Sequence, residues 1–152
     1  MSDARRDVLL EVLPHGRGLQ LPKHQTDGSS GMDLRAAVTE PLKLDPGGRA
    51  LVPTGIRVAI PRGWEWQIRP RSGLALRQGV TVLNAPGTVD SDYRGEVKVI
   101  LINLGDRPVE IGRGERVAQA VLSPVAAGNL RIVDDLPDSQ RGTGGFGHTG
   151  SN

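Results

Sequence analysis

No cysteine occurs among the 152 residues. Disulfides, thiol chemistry and thiolate-held metals are therefore excluded. Aromatic side chains are nearly as scarce, at 3%: Trp64, Trp66, Tyr93 and Phe146. The core must be aliphatic, drawn from Val, Leu, Ile and Ala. No apolar run approaches the roughly 18 residues that mark a membrane-spanning helix, so no membrane association is expected. The opening MSDARRDVLLEVL has neither the apolar stretch nor the small-residue cleavage site of a secretory signal, and the cytoplasm is the expected compartment. A large charge of either sign is also missing. The formal net charge is +2, which argues against a general nucleic-acid binder. The sequence pI of about 9.5 reflects 16 arginines against 3 lysines. Arginine suits forked recognition of phosphate, although a compositional bias would give the same excess.

What is present is the composition of one soluble domain, 37% hydrophobic and 24% charged. Gly and Pro, 21 and 11 residues, punctuate short β-branched runs. These are DVLLEVL, RALVPTGIRVAI, WEWQIR, VTVL, EVKVILINL, RPVEI, RVAQAVLSPV and LRIVDDL. Turn signals such as DPGG, PRG, NAPG and LGDRP separate them. Many short strands with regular turns predict an all-β sandwich or barrel. One short helix is expected within SGLALRQG, residues 72–79. EVKVILINL is apolar on both faces from Val97 to Leu104, which fits a strand buried on both sides or packed against another subunit. Residues 1–137 are read as the β domain. Residues 138–152, polar and Gly-rich, are read as a flexible tail.

Five stretches carry candidate chemistry. In SSGMDLRAA, Asp33 sits in a strand pattern between Met32 and Leu34, either as a hydrogen-bonded edge carboxylate or as part of a polar site. In RPRSGLAL, Ser72 is placed to cap the helix, and Arg71 adds a charged fork. Together they suit an anion at a helix N-terminus, or make only a capped turn. LNAPGTVDSDYRGEV predicts a β-hairpin whose free backbone groups and Asn84 amide can read a base edge. There Asp90 and Asp92 are candidate general bases or turn formers, with Asp92 assigned to the turn, and Tyr93 is a candidate platform. In GRGERVAQAVLSPV, Arg116 and Gln119 interrupt an apolar strand. On strict alternation Gln119 shares a face with Val117 and Val121, so its amide needs a partner. Last, RGTGGFGHTG holds the only Phe, flanked by glycines. It lacks the ending of a Walker A loop. An aromatic in a solvating tail has a purpose only if it docks.

In order and spacing, these stretches resemble the trimeric dUTP diphosphatases. The resemblance rests on SGMDLRAA, RPRSGLA, NAPGTVDSDYRGEV, GERVAQAVL and RGTGGFGHTG and spans roughly residues 8–150. His148 stands where many members carry Ser. The resemblance implies a distorted jelly-roll fold, a homotrimer with active sites at subunit interfaces, and Mg²⁺ bound through the substrate triphosphate. It implies hydrolysis of dUTP to dUMP and pyrophosphate, which limits uracil in DNA and supplies dUMP for thymidylate synthesis. Carried onto this chain, Asp90 orients and deprotonates the attacking water. Asn84 and the hairpin backbone read uracil, Thr88 and Val89 contact the substrate, and Tyr93 lies against the deoxyribose. Arg71, Ser72, Gly73, Lys98 and Gln119 contact the substrate, chiefly its phosphates. Asp33 holds waters around Mg²⁺. Phe146 stacks on the base, while Arg141, Gly147, His148 and Thr149 close over the phosphates. Two alternatives remain at this point. A dCTP deaminase relative would place a base, commonly Glu, in the hairpin, where this chain has Asp90. A non-catalytic nucleotide-sensing β domain would have no need of Asp90 beside phosphate-type residues.

Overall fold

The structure, a computed structural model, describes residues 6–146. Gly147, His148 and Thr149, expected to contact phosphate, lie outside the described residues. Among the described residues, ten strands and one α-helix follow in chain order: β1 (Leu9–Val12), β2 (Gly31–Arg35), β3 (Leu42–Leu44), β4 (Arg49–Ala59), β5 (Trp64–Arg69), α1 (Ser72–Gln78), β6 (Val80–Val82), β7 (Gly87–Val89), β8 (Glu96–Asn103), β9 (Val109–Ile111) and β10 (Arg116–Pro124). All their pairings are antiparallel. They form one sheet ordered β1-β4-β8-β6, a second ordered β2-β10-β5-β7, and the separate pair β3-β9. The expected all-β architecture with one short helix is what the chain adopts.

The core is aliphatic, as the aromatic shortage requires. Leu34, Val52, Val80, Leu101, Ile111 and Val117 are buried, joined by a single indole, Trp66, at 2% exposure. Trp66 is thus a core residue. Trp64, on the same face of β5, is only half-buried and lies under the Arg6 guanidinium, 5.8 Å from its ring centroid.

Strand β8 alternates. Val97, Val99 and Leu101 point into the core, whereas Lys98 is exposed and Ile100 and Ile102 are half-buried. The apolar outer face read from the sequence exists, and among the described residues it stays incompletely covered. Leu51, which pairs with Ile100 on β4, is 56% exposed beside it.

Asn103 ends β8 and is fully buried. Its Nδ2 donates to Leu44 O at 2.9 Å and to Arg107 O at 2.8 Å, and its Oδ1 accepts from Gly105 N–H at 2.8 Å. One amide thereby satisfies three backbone groups. Asn103→Ala leaves them unpaired and should lower unfolding stability by about 3 kcal/mol, measured as a urea midpoint shift. A shift equivalent to less than about 0.5 kcal/mol, the range of neutral surface changes, would show that the network is dispensable.

Three local expectations are corrected. Arg71, not Ser72, occupies the helix N-cap, with extended backbone and no side-chain cap, so Ser72 is the first helical residue. The hairpin is not a simple two-stranded one. Its arms β6 and β8 pair with each other, but β7 leaves the loop between them to pair with β5 of the other sheet. Finally, LRIVDDL forms no strand. The last strand ends at Pro124, Val125 N–H is tied to Gly63 O at 2.8 Å, and Leu130, Ile132 and Leu136 beyond it are 101%, 103% and 82% exposed. Its alternation is that of a strand, but no sheet edge among the described residues receives it.

Candidate active site

The second sheet brings two candidate side chains, Asp33 and Gln119, level with Arg69. Gln119 on β10 pairs with Asp33 on β2 and with Arg69 on β5. A bulge on β10 between Arg116 and Ala118 makes this row possible. It buries both Val117 and Ala118, which resets the alternation and separates Gln119 from Val117, against the simple face count.

Asp33 is the hub of this row. Its Oδ1 accepts from Arg71 Nε at 3.0 Å, and its Oδ2 accepts from Arg116 Nη1 at 3.3 Å. Arg71 Nη1 also reaches Arg116 O at 3.3 Å. Two guanidinium groups on one half-buried carboxylate leave a net positive rim suited to phosphate. Gln119 Nε2 donates to Pro70 O at 3.0 Å, which fixes the amide and anchors the segment leading into α1. Gly31 makes room for it, since a Cβ there would sit 2.2 Å from Gln119 Oε1. At the start of α1, the Arg77 guanidinium folds back to within 3.0 Å of where a Gly73 Cβ would be. Ser72 and Gly73 therefore have Arg71 before them in the chain and Arg77 folded over them.

Asp90 stands elsewhere. It follows β7, which is an edge strand. β7 pairs with β5 on one side, and among the described residues no strand covers its other edge. That edge meets the expectation of free backbone groups near Asn84, whose amide lies against Gly87. Thr88 is exposed, whereas the Val89 side chain is in the core, so only the Val89 backbone is available to a ligand. Beyond β7, Tyr93 N–H donates to Asp90 O at 3.2 Å and closes a turn containing Asp92. Arg94 Nη1 pins that turn by donating to Ser91 O at 2.7 Å and Tyr93 O at 2.8 Å. The exposed Asp90 lines a cleft of about 840 Å³ with Arg62, Trp64, Ser91 and Arg94.

The chain thus presents two candidate half-sites: a cationic rim (Asp33, Arg71, Arg116, Gln119) and a carboxylate cleft (Asp90). The cleft's lining includes none of the rim residues. Lys98 belongs to neither, being exposed on the first sheet with Nζ 3.8 Å from Glu96 Oε2. The described part of the tail keeps to itself. Arg141 Nε donates to Gly144 O at 2.7 Å in a local turn, and Phe146 is fully exposed. Sequence reasoning gave no functional role to Arg116 or Arg77. The signal for Arg116 was present, a charged residue breaking an apolar strand. That for Arg77 was its four-residue spacing from Gly73 on a helix.

The fold and these half-sites define a β-sandwich protein with a cationic rim and a separate edge-strand carboxylate. Comparison with known proteins narrows that class. The family model described as dUTPase matches residues 18–150, and the chain belongs to the dUTPase family. It is 57% identical over 151 residues to the deoxyuridine 5'-triphosphate nucleotidohydrolase of Rhizobium rhizogenes, covering 98% of this chain and 97% of that protein. It is 55% identical to the protein of the same name from Sinorhizobium medicae, covering 98% and 94%. Among solved structures, a Staphylococcus bacteriophage 80alpha dUTPase with dUPNHPP superposes with a TM-score of 0.82 at 24% identity, over 97% of this chain and all of that one. A mutant dUTPase from phage phi11 of S. aureus, described as coordinating a structural Mg(II) ion, gives 0.77 at 19% identity over 88% of this chain and all of that one. At these identities the structures show a shared fold, that of the dUTPases. Among the described residues no helix is long and apolar enough to cross a membrane.

Proposed function

We infer that the protein hydrolyses dUTP to dUMP and pyrophosphate. The observation that carries this reading is 57% identity, across nearly the whole chain, to a deoxyuridine 5'-triphosphate nucleotidohydrolase. In the reaction, a water oxygen bonds to the α-phosphorus as the bond to the α–β bridging oxygen breaks. Asp90 orients the water and takes its proton. Arg71, Ser72, Gly73 and Gln119 hold the phosphates, with Ser72 placed by type to stabilise the departing oxygen. Asn84 and the free edge of β7 read uracil. Tyr93 lies under the deoxyribose and has no space for a 2′-hydroxyl. Phe146 and Arg141 complete the site from the tail. Release of pyrophosphate from dUTP, assayed beside dTTP, dCTP and UTP, tests the reading. Preference for another nucleotide, or release of ammonia from dCTP, would overturn it.

The substrate in this reading is the Mg²⁺ complex of dUTP. Among the described residues no group of three His, Asp or Glu side chains is placed to hold a metal, and both Asp33 oxygens are engaged by arginines. In this reading the triphosphate would supply the ion's ligands, and Asp33 would hold waters around it. When bound, the ion would neutralise charge on the phosphates, while Asp33 keeps Arg71 and Arg116 aimed at them.

The active assembly in this reading is a homotrimer with sites between subunits. Its support is the separation of the two half-sites in one chain, the incompletely covered Leu51, Ile100 and Ile102, and the fully exposed Leu130 and Ile132. Sedimentation should give a species about three times the chain mass of 16.2 kDa. A species of one chain mass at micromolar concentration would refute it.

A further inference from the structure

Strand β4 departs from its ladder with β8. Pro53 pairs with Lys98, yet Arg57 pairs with Glu96, so β4 carries extra residues at Thr54–Ile56. Gly55 in this bulge has φ +69°, a conformation that favours glycine. Gly16, in the 3₁₀ turn Pro14–Gly16, packs directly on it; a Gly16 Cβ would lie 2.2 Å from Gly55 O. The bulge takes Gly55 N–H out of the ladder. Glu96 Oε1 accepts it at 2.9 Å, and the same oxygen lies 2.6 Å from His15 Nε2. Glu96 is well covered, with a side chain 14% exposed. Thr54 Oγ1 donates to Val97 O next to it. Glu96 thus ties the start of β8 to the bulge and to the turn carrying His15.

The backbone of Glu96 has a second task. Its carbonyl accepts the Tyr93 hydroxyl at 3.0 Å. The phenol lies folded on the intervening backbone, and a Cβ at Gly95 would sit 2.3 Å from Tyr93 Oη. The Tyr93 ring therefore rests on Gly95 and on the 96–97 peptide, and that stretch of backbone is anchored by the Glu96 carboxylate.

We propose that Glu96, braced by His15, is a positioning residue for Tyr93 and through it sets discrimination between deoxyribo- and ribonucleotide. This rests on the reading of Tyr93 as the surface against the sugar. A ring that excludes a single hydroxyl has to be held to a fraction of an ångström, and misplacements of about 1 Å cost on the order of 10²-fold in positioned reactions. Neither Glu96 nor His15 touches substrate in this scheme.

The test measures kcat/KM for dUTP and UTP in the full-length chain. Tyr93→Ala should raise UTP turnover relative to dUTP; if the ratio does not change, the reading of Tyr93 itself fails. With that control positive, Glu96→Ala and His15→Ala should shift the ratio the same way by roughly tenfold, with kcat for dUTP changed much less. Glu96→Gln, whose amide oxygen can still accept Gly55 N–H, should recover part of the discrimination. A relaxed Tyr93→Ala beside unchanged ratios in Glu96→Ala and His15→Ala would overturn the proposal. Should Glu96→Ala fail to fold, His15→Ala decides it in a double-mutant cycle with Tyr93→Phe. Without the hydroxyl that reaches Glu96 O, His15→Ala should have little further effect on the ratio, and simple additivity would refute the linkage.

Discussion

Asp90→Asn is expected to lower kcat for dUTP by roughly 10²- to 10⁴-fold, the usual contribution of a general base, while KM changes little. Asn has nearly the shape of Asp, and the turn that holds residue 90 uses backbone groups, Tyr93 N–H on Asp90 O and Arg94 on Ser91 O and Tyr93 O. The loop should therefore keep its form while losing the only function an amide cannot supply, acceptance of a proton. The nearest carboxylate in sequence, Asp92, belongs to the turn and lines the same cleft. Asp92→Asn is thus a matched control that should keep most activity. If kcat of Asp90→Asn stays within a few-fold of the unaltered enzyme, the base is another group.

Ending the chain at Pro137 is expected to leave a folded protein, trimeric in the proposed assembly, with kcat/KM for dUTP reduced by roughly 30- to 1000-fold, the equivalent of about 2 to 4 kcal/mol of transition-state stabilisation. Folding should survive because the described part of the deleted segment buries almost nothing. Arg141 bonds to Gly144 within its own turn, and Phe146 lies wholly in solvent. Catalysis should fail because, in the proposed mechanism, base stacking and one charged phosphate contact depend on the tail closing over bound substrate, which would order the triphosphate and exclude water. Phe146→Ala should reproduce part of the loss, since Arg141 still closes. Near-normal kcat/KM in the shortened protein would remove the tail from the mechanism, and failure to assemble would make it a structural strap.

The strands are legible wherever β-branched residues alternate between turn signals, as in RALVPTGIRVAI and EVKVILINL, because period-2 burial is written locally. The helix at Ser72–Gln78 is legible from its length and the glycine after it. What is not legible depends on pairing at long range. Nothing in GTV says that it joins WEWQIR across to the other sheet and not the strand beside it. The clamp of Arg71 and Arg116 on Asp33 joins residues 38 and 83 positions apart, and only the registers of β2 with β10 and of β10 with β5 bring them together. Glu96 reads as an ordinary polar strand start until the bulge at Gly55 supplies the N–H it serves. The strand pattern of LRIVDDL is real, yet the described residues offer it no partner edge.

That last segment has a consequence for the newly made protein. Leu130, Ile132 and Leu136 stand in water on an isolated chain, in addition to the bare face around Leu51. In the homotrimer reading, each molecule carries, before it meets its copies, the kind of apolar surface that chaperones bind and that nucleates aggregates. Encounter depends on concentration, so the lifetime of this vulnerable form shortens as expression rises and lengthens when synthesis is sparse. In the homotrimer reading, a cell making few copies would leave a larger fraction exposed to quality control. Slow translation or low dosage would then reduce the amount of finished enzyme by more than the reduction in synthesis alone.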